Sequence, residues 1–318
     1  MKSGFAALLL CCAAGAAPAQ DFPSRAVHVI VPYTPSTGGD ILARVLAPRF
    51  SERWNSAVVV ENRPGATGNI GAEAVAKSAA DGHTLLLAAT SFSTNPALAR
   101  ALPFDPVKSF APVGQVAASA LAVTVNAQVP ARSMRELIEL ARRQPGKLYY
   151  GSPGNGGVQH LAMELLKLDT GMDVVHVPYK GLGGAIADLI AGQVQILISA
   201  LQSVAPHVQA GRVRILGVMS PERVAAFSEV PTLKEQGLPD LEVETWYALF
   251  APAGTPPRTI ARINGDLVSI MSDAGIRDLL AKQGLSAAAG SPERMADLLR
   301  RELDRWARVV NAAGIKAD

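Results

Sequence analysis

Two loops in this chain carry side-chain types at a spacing that could do chemistry. The first, Pro32-Tyr33-Thr34-Pro35-Ser36-Thr37-Gly38-Gly39, follows the apolar run Val27, Val29, Ile30, Val31 and meets Asp40 just before ILARVLA. The second, Gly151-Ser152-Pro153-Gly154-Asn155-Gly156-Gly157, lies between a strand-like stretch at 148–152 and VQHLAMELLKL. Both follow one order: strand, small-residue loop, helix start. That order presents unpaired backbone N–H groups and the positive end of a helix dipole to whatever lies beyond the loop. The hydroxyls of Tyr33, Thr34, Ser36 and Thr37 add donors. A third hydroxyl-rich stretch, Thr90-Ser91-Phe92-Ser93-Thr94-Asn95, opens after the strand-like TLLLAA. The chemistry these loops suit is holding an anion at the carboxyl ends of parallel strands.

Other chemistries find less support. No Lys-Ser/Thr follows the glycines at 151–157, so the loop is not a P-loop, and their G-x-x-G-x-G spacing is not the dinucleotide fingerprint. Ser152 with His160 would suit a secreted serine hydrolase, but no G-x-S-x-G elbow occurs. The remaining histidines show no i, i+4 pairing and no clustered carboxylates, which leaves a metal site unsupported. Asp40 reads as a helix cap. No acid/base couple is legible, so the expectation is a binder with no catalytic residue, no metal and no cofactor.

The elements that must position these loops alternate. Strands are expected at 27–31, 57–61, 84–89, 121–125, 148–152, 174–177, 195–199, 215–218 and 246–252, with helical patterns between and after them. In the helix after the second loop, Val158, Leu161, Leu165 and Leu168 share a face. This is the grammar of parallel α/β architecture. Weak composition shifts near 123–126 and 244–247 suggest two crossovers between lobes. The first residues form a leader: Lys2, an apolar run from Phe5 to Ala17, then Ala17-Pro18-Ala19 as a cleavage site. Both cysteines, Cys11 and Cys12, fall inside it, so a chain cleaved after Ala19 has no thiol and no disulfide. The net charge of +3 drops by one to +2 without Lys2, and no basic run is interleaved with aromatics, which argues against nucleic acid.

With these strings in order, the chain resembles the substrate-binding proteins of tripartite tricarboxylate transporters, the Bug-type extracytoplasmic solute receptors. The resemblance rests on FPSRAVHVIVPYTPSTGGDILAR, VVVENRPGATGNIGAEAVAKSAADGHTLLLA, TNPAL, FDPVKSFAPVG, YGSPGNGGVQHLAMELL, VPYKGLGGAIADLIAGQVQ, EVPTLKEQGLP and WYALFAPAGTP, and covers nearly all of the mature chain. It implies an α/β, two-lobed periplasmic binding protein of type II, each lobe a mostly parallel sheet flanked by helices, with the ligand cleft between lobes. The expected division is a signal peptide at 1–19, lobe 1 at 20–123 and 245–318, and lobe 2 at 124–244. The implied function is capture of a small organic carboxylate by a monomer in the periplasm, for delivery to membrane transporter subunits. A ligand-sensing receptor for a membrane sensor kinase is the alternative.

Carried over residue by residue, the resemblance gives ligand-binding roles to Tyr33, Pro35, Ser36, Thr37 and Gly38 on one lobe. On the other it gives them to Ser152, Gly154, Asn155, Gly156, Gly157 and His160. Thr90 and Ser91 line the cleft, and a loop from Tyr179 to Gly184 closes its floor. Two departures stand out: Ser36 and Thr37 replace the family's usual glycines, and Gln195 and Ser199 stand where many relatives carry aspartates. With Ser199 in the cleft, a ligand amine loses its natural partner, so a non-amino carboxylate is expected over an amino acid.

Overall fold

The structure is a computed structural model that describes residues 22–315 apart from Ser36 and Arg100. The leader, its cysteines and the Ser36 position therefore lie outside the described residues. The chain starts as expected, with β1 (Val27–Val31), α1 (Gly38–Trp54), β2 (Val58–Asn62), α2 (Asn69–Ala76), β3 (Thr84–Ala89) and α3 (Ser91–Leu98). β1 pairs in parallel with both β2 and β3. A parallel strand covered by helices on both faces reads as a continuous apolar run, and Val27, Val29, Ile30 and Val31 are all buried.

The next strand is the longest, β4 (Phe110–Asn126). After it come α4 (Met134–Arg143), β5 (Leu148–Ser152), α5 (Val158–Thr170), β6 (Val174–Pro178), α6 (Leu182–Ala191), β7 (Ile196–Ala200), α7 (Leu201–Gln209) and β8 (Val213–Val218). β9 (Glu244–Pro252) brings the chain back, and α8 (Pro257–Met271), α9 (Ala274–Lys282), β10 (Ser286–Ala287) and α10 (Pro292–Ala313) complete it. The sheet order is β2-β1-β3-β9-β4-β7-β5-β6, with β8 and β10 also paired to β4.

β4 joins two lobes. Up to Ala120 it pairs with β9, and from Leu121 it pairs with β7 and β8. The three crossover strands of each lobe, β2-β1-β3 and β6-β5-β7, are parallel, whereas β4, β8 and β9 run antiparallel to their neighbours. The sheet is thus mixed: strands that carry the chain across and back must oppose each other, while helix-connected strands need not.

Three local readings change. The stretch after Thr90 is helix α3, not loop: the Ser93 hydroxyl donates to the Thr90 carbonyl at 2.8 Å, and Phe92 is buried against Phe110 and Phe250. Hydroxyls that bond back to the preceding turn cost the helix little once burial favours it. Asp40 is not the cap. It sits inside the first turn of α1, buried, and accepts from Arg44 Nε at 3.1 Å and Asn62 Nδ2 at 2.9 Å. Leu168 is 45% exposed, so the apolar face of α5 ends with Leu165 and the end of the helix turns outward.

The C-terminal helix α10 packs against both lobes. Met295 and Leu299 join Phe92, Phe110, Trp246 and Phe250 in a lobe 1 cluster, whereas Trp306, Val309 and Val310 enter the lobe 2 core. Between them, buried Glu302 accepts from Trp306 Nε1 at 2.6 Å and pairs with Arg305 at 3.0 Å, and Arg305 also donates to the Glu242 carbonyl at 2.7 Å. Burial pushes the Glu302 carboxyl up. The helix is a strut across the crossing strands. Replacing fully buried Trp306 by Ala should lower the unfolding free energy by about 3–5 kcal/mol, the usual cost of a large cavity. Urea titration reads this directly, and a loss below about 1 kcal/mol would mean that the lobe 2 end of α10 is dispensable.

Candidate functional site

A cleft of about 460 Å³ opens where the two lobes meet. Lobe 1 contributes Thr67 and Asn69 at the start of α2, then Ala89, Thr90, Ser91, Thr94, Asn95, Leu98 and Ala99 along the end of β3 and α3, and Thr245 on β9. Lobe 2 contributes Pro153, Gly154, Asn155, Gly156, Gly157 and Val158, the loop between β5 and α5. Three helices, α2, α3 and α5, begin at this one cavity. The first-turn N–H groups of a helix have no partner within it, and each helix start carries roughly half a positive charge. No described residue that lines the cleft is Asp, Glu, Lys or Arg. Among the described lining residues, positive potential comes from peptide dipoles, hydroxyls and amides.

Each wall is fixed from behind. On lobe 1, buried Thr90 accepts the Trp246 N–H at 2.8 Å, which ties the end of β3 to β9. The Tyr33 hydroxyl accepts the Ala89 N–H at 2.9 Å and pairs with Ser91 Oγ at 2.8 Å; burial pushes its pKa up to about 12, so it stays a phenol. On lobe 2 the glycines are needed where they stand. Gly156 has φ of +69°, and a Cβ there would lie 2.6 Å from the Leu98 side chain of lobe 1. Leu98 thus fits against the opposite loop at a point where only glycine leaves room.

Beneath that loop lies a buried polar stack. Ser152 Oγ donates to the Gly154 carbonyl at 2.9 Å and meets His176 Nε2 at 2.7 Å, while the Gly156 N–H donates to His160 Nδ1 at 3.0 Å. The two imidazoles stack with ring centroids 3.8 Å apart, and Tyr150 stacks on His176 at 4.8 Å. Tyr150 donates to Glu164 at 2.5 Å, and Lys167 pairs with the same carboxylate at 2.8 Å. Burial lowers the pKa of His160, and burial together with His160 takes that of His176 down to about 4. Both rings are therefore neutral at pH 7, which lets Nδ1 of His160 accept the loop's N–H.

The residues named from sequence divide into three groups. Thr90, Ser91, Gly154, Asn155, Gly156 and Gly157 line the cleft. Tyr33, Ser152, His160 and Tyr179 stand behind it as supports. Tyr179 donates its N–H to the Ser152 carbonyl at 2.9 Å and its hydroxyl to Asp188 at 2.6 Å. Pro35, Thr37 and Gly38 are outside the lining, as is Ser199. Thr37 bonds to the Thr34 carbonyl at 2.9 Å, and Gly38 faces Tyr247, whose hydroxyl would lie 2.3 Å from a Cβ placed there. Ser199 is fully buried opposite Ala122, and strand alternation puts it with Leu197 on the α6 and α7 side.

The serine hydrolase pairing is not formed, because His160 bonds Gly156 and the Ser152 hydroxyl is fully buried. Sequence reasoning passed over Thr67, Asn69, Leu98 and Thr245, and reached Thr94 and Asn95 only as part of a hydroxyl-rich stretch. The strings NRPGATGN and TNPAL were visible, and their site role lies in how they fold together; Thr245 on a strand left no signal.

Known proteins resemble this chain in sequence and fold. The family model described as "Tripartite tricarboxylate transporter family receptor" matches residues 42–315. A UPF0065 protein in the tcbD-tcbE intergenic region of Pseudomonas sp. (strain P51) is 37% identical over 91% of this chain and 86% of its own. Protein BugT of Bordetella pertussis is 34% identical over 94% of this chain and 92% of its own. Among solved structures, R. palustris Rpa4515 with adipate is 35% identical, with a TM-score of 0.76, covering 93% of this chain and 99% of that one. MatC from Rhodopseudomonas palustris with bound malate is 29% identical, with a TM-score of 0.72, covering 91% of this chain and 100% of that one.

The stacked histidines generate a pH prediction. A ring held neutral in the fold gives stability that is present above the unfolded value of about 6.5 and is lost as pH falls toward about 4, because the unfolded chain takes up the proton first. The melting temperature should therefore drop between pH 6.5 and 4. His176→Phe, which keeps a ring in the stack but cannot titrate, should flatten that drop, and identical profiles for the two proteins would contradict the assignment.

Proposed function

The chain belongs to the tripartite tricarboxylate transporter receptor family, and from that premise we propose that its cleft captures a small organic carboxylate in the periplasm for transfer to a membrane transporter. The observation that carries the reading is the cleft itself: three helix starts and a set of hydroxyls and amides, with no side-chain charge of either sign among the described lining residues. Such a site answers a carboxylate with oriented N–H and O–H donors. The adipate and malate named with two structural neighbours are ligands of that chemistry.

Ligand contacts divided between lobes are complete only when the lobes close. Binding therefore shifts the population toward the closed form, which a transporter can distinguish from the open one. The leader at 1–19, cleaved after Ala19, supplies export, and the receptor acts as a monomer. Preference for a non-amino ligand rests on new ground. Ser199 is not in the lining, but neither is any described carboxylate, so an ammonium group entering the cleft would meet no anionic partner among the described lining residues.

A thermal-shift screen of the mature chain against small carboxylates and amino acids tests this. A ligand at a hundred times its dissociation constant should stabilise the fold by about 2.7 kcal/mol. Hits should be carboxylates, with aspartate and glutamate weaker than their non-amino analogues. Tighter binding of the amino acids, or no shift from any carboxylate with protein that was unfolded and refolded to strip bound ligand, would overturn the reading.

A further inference from the structure

The loop between β2 and α2 holds four successive residues at positive φ: Gly65 at 132°, Ala66 at 46°, Thr67 at 56° and Gly68 at 98°. Glycine adopts such angles freely, but Ala66 and Thr67 carry a Cβ that opposes them. Strain of this kind persists only where the surroundings over-determine it, and it concentrates at functional sites. Here the clamp is Asn95 of α3. Its Nδ2 donates to the Thr67 carbonyl at 3.0 Å and to Asn69 Oδ1 at 3.0 Å, and the residue is only 7% exposed. From the other side a Cβ on Gly71 would come within 2.8 Å of the Arg63 carbonyl oxygen, so the backbone closes tightly beneath the loop. Thr67, Asn69 and Asn95 all line the cleft. The strained loop, held by one amide, is therefore the part of the lobe 1 wall whose position depends most on a single side chain.

We infer that Asn95 is a positioning residue for ligand specificity: it fixes the loop at 65–69 and thereby sets which carboxylate length spans from that wall to the lobe 2 loop. The inference rests on the cleft's being the carboxylate site. A wall held rigidly favours one length and rejects its neighbours, whereas a loosened wall adapts to several at lower affinity for the best.

The test is calorimetric titration of the mature chain with the straight-chain dicarboxylates from malonate to suberate. Wild type should separate its best from its worst length by at least about tenfold. Asn95→Ala should weaken the best length by about tenfold, the loss of one well-placed hydrogen-bonding group, and the worst by less than about threefold. The discrimination ratio then collapses. Ala66→Gly removes a strained Cβ from an exposed position outside the lining and alters no group in the cleft, so it folds even if Asn95→Ala does not. It should lower the same ratio. Equal weakening of every length, or an unchanged ratio in Ala66→Gly and in folded Asn95→Ala, overturns the inference and leaves the carboxylate reading standing. Wild type that binds none of the series overturns the inference about chain length, and the wider carboxylate screen then decides the carboxylate reading.

Discussion

A carboxylate taken out of water must have its charge answered, and in the proposed reading the described lining of this cleft would answer it without an ammonium or guanidinium group. That constraint explains much of the rest. Peptide dipoles are fixed partial charges that act over short distances, so they help only if their positions are held closely. The fold meets this by starting α2, α3 and α5 at one cavity and by bonding each start: Asn69 to Asn95, Ser91 to Tyr33, Gly156 to His160. The polar stack under the lobe 2 loop belongs to the same logic. His160 serves as a neutral acceptor, His176 gives its Nε2–H to Ser152 Oγ, and both rings are stacking surfaces that burial keeps neutral.

Few strands link the lobes. Only β4 and the return into β9 carry the chain between them, a short path that bends more easily than it shears. α10 spans the junction and limits how the lobes separate, with Glu302 and Arg305 bonding across its middle. Leu98 of lobe 1 lies against Gly156 of lobe 2, a steric register between the lobes that needs no ligand atom.

Sequence carried the architecture well because the signals were local. Apolar β-branched runs marked β1, β2 and β6, and the small-residue loops marked where helices begin. What was not legible came from long-range packing. The hydroxyls after Thr90 read as loop until Phe92 was seen buried among aromatics. Seventeen residues of β4 were recognised only in their last third, since the first part is rich in Ala, Gly and Pro and is held by pairing with β9. The candidate site was half legible for the same reason. Glycines and hydroxyls pointed to the loops at 90–91 and 154–157. The contribution of Asn95 and Thr67 depends on a bond between segments 28 residues apart. Tyr33 and His160 were noticed for the right chemistry, but they support the cleft from behind.

The central claim is that charge on the ligand is recognised by oriented peptide, hydroxyl and amide dipoles. Calorimetry with a carboxylate and with the primary amide of the same skeleton measures this most directly, because the pair matches in shape and differs in charge. The account predicts that the carboxylate binds at least about a hundredfold more tightly, the scale of about 2.7 kcal/mol expected for charge-assisted bonds to aligned N–H groups. An amide that binds as tightly as the acid would contradict it.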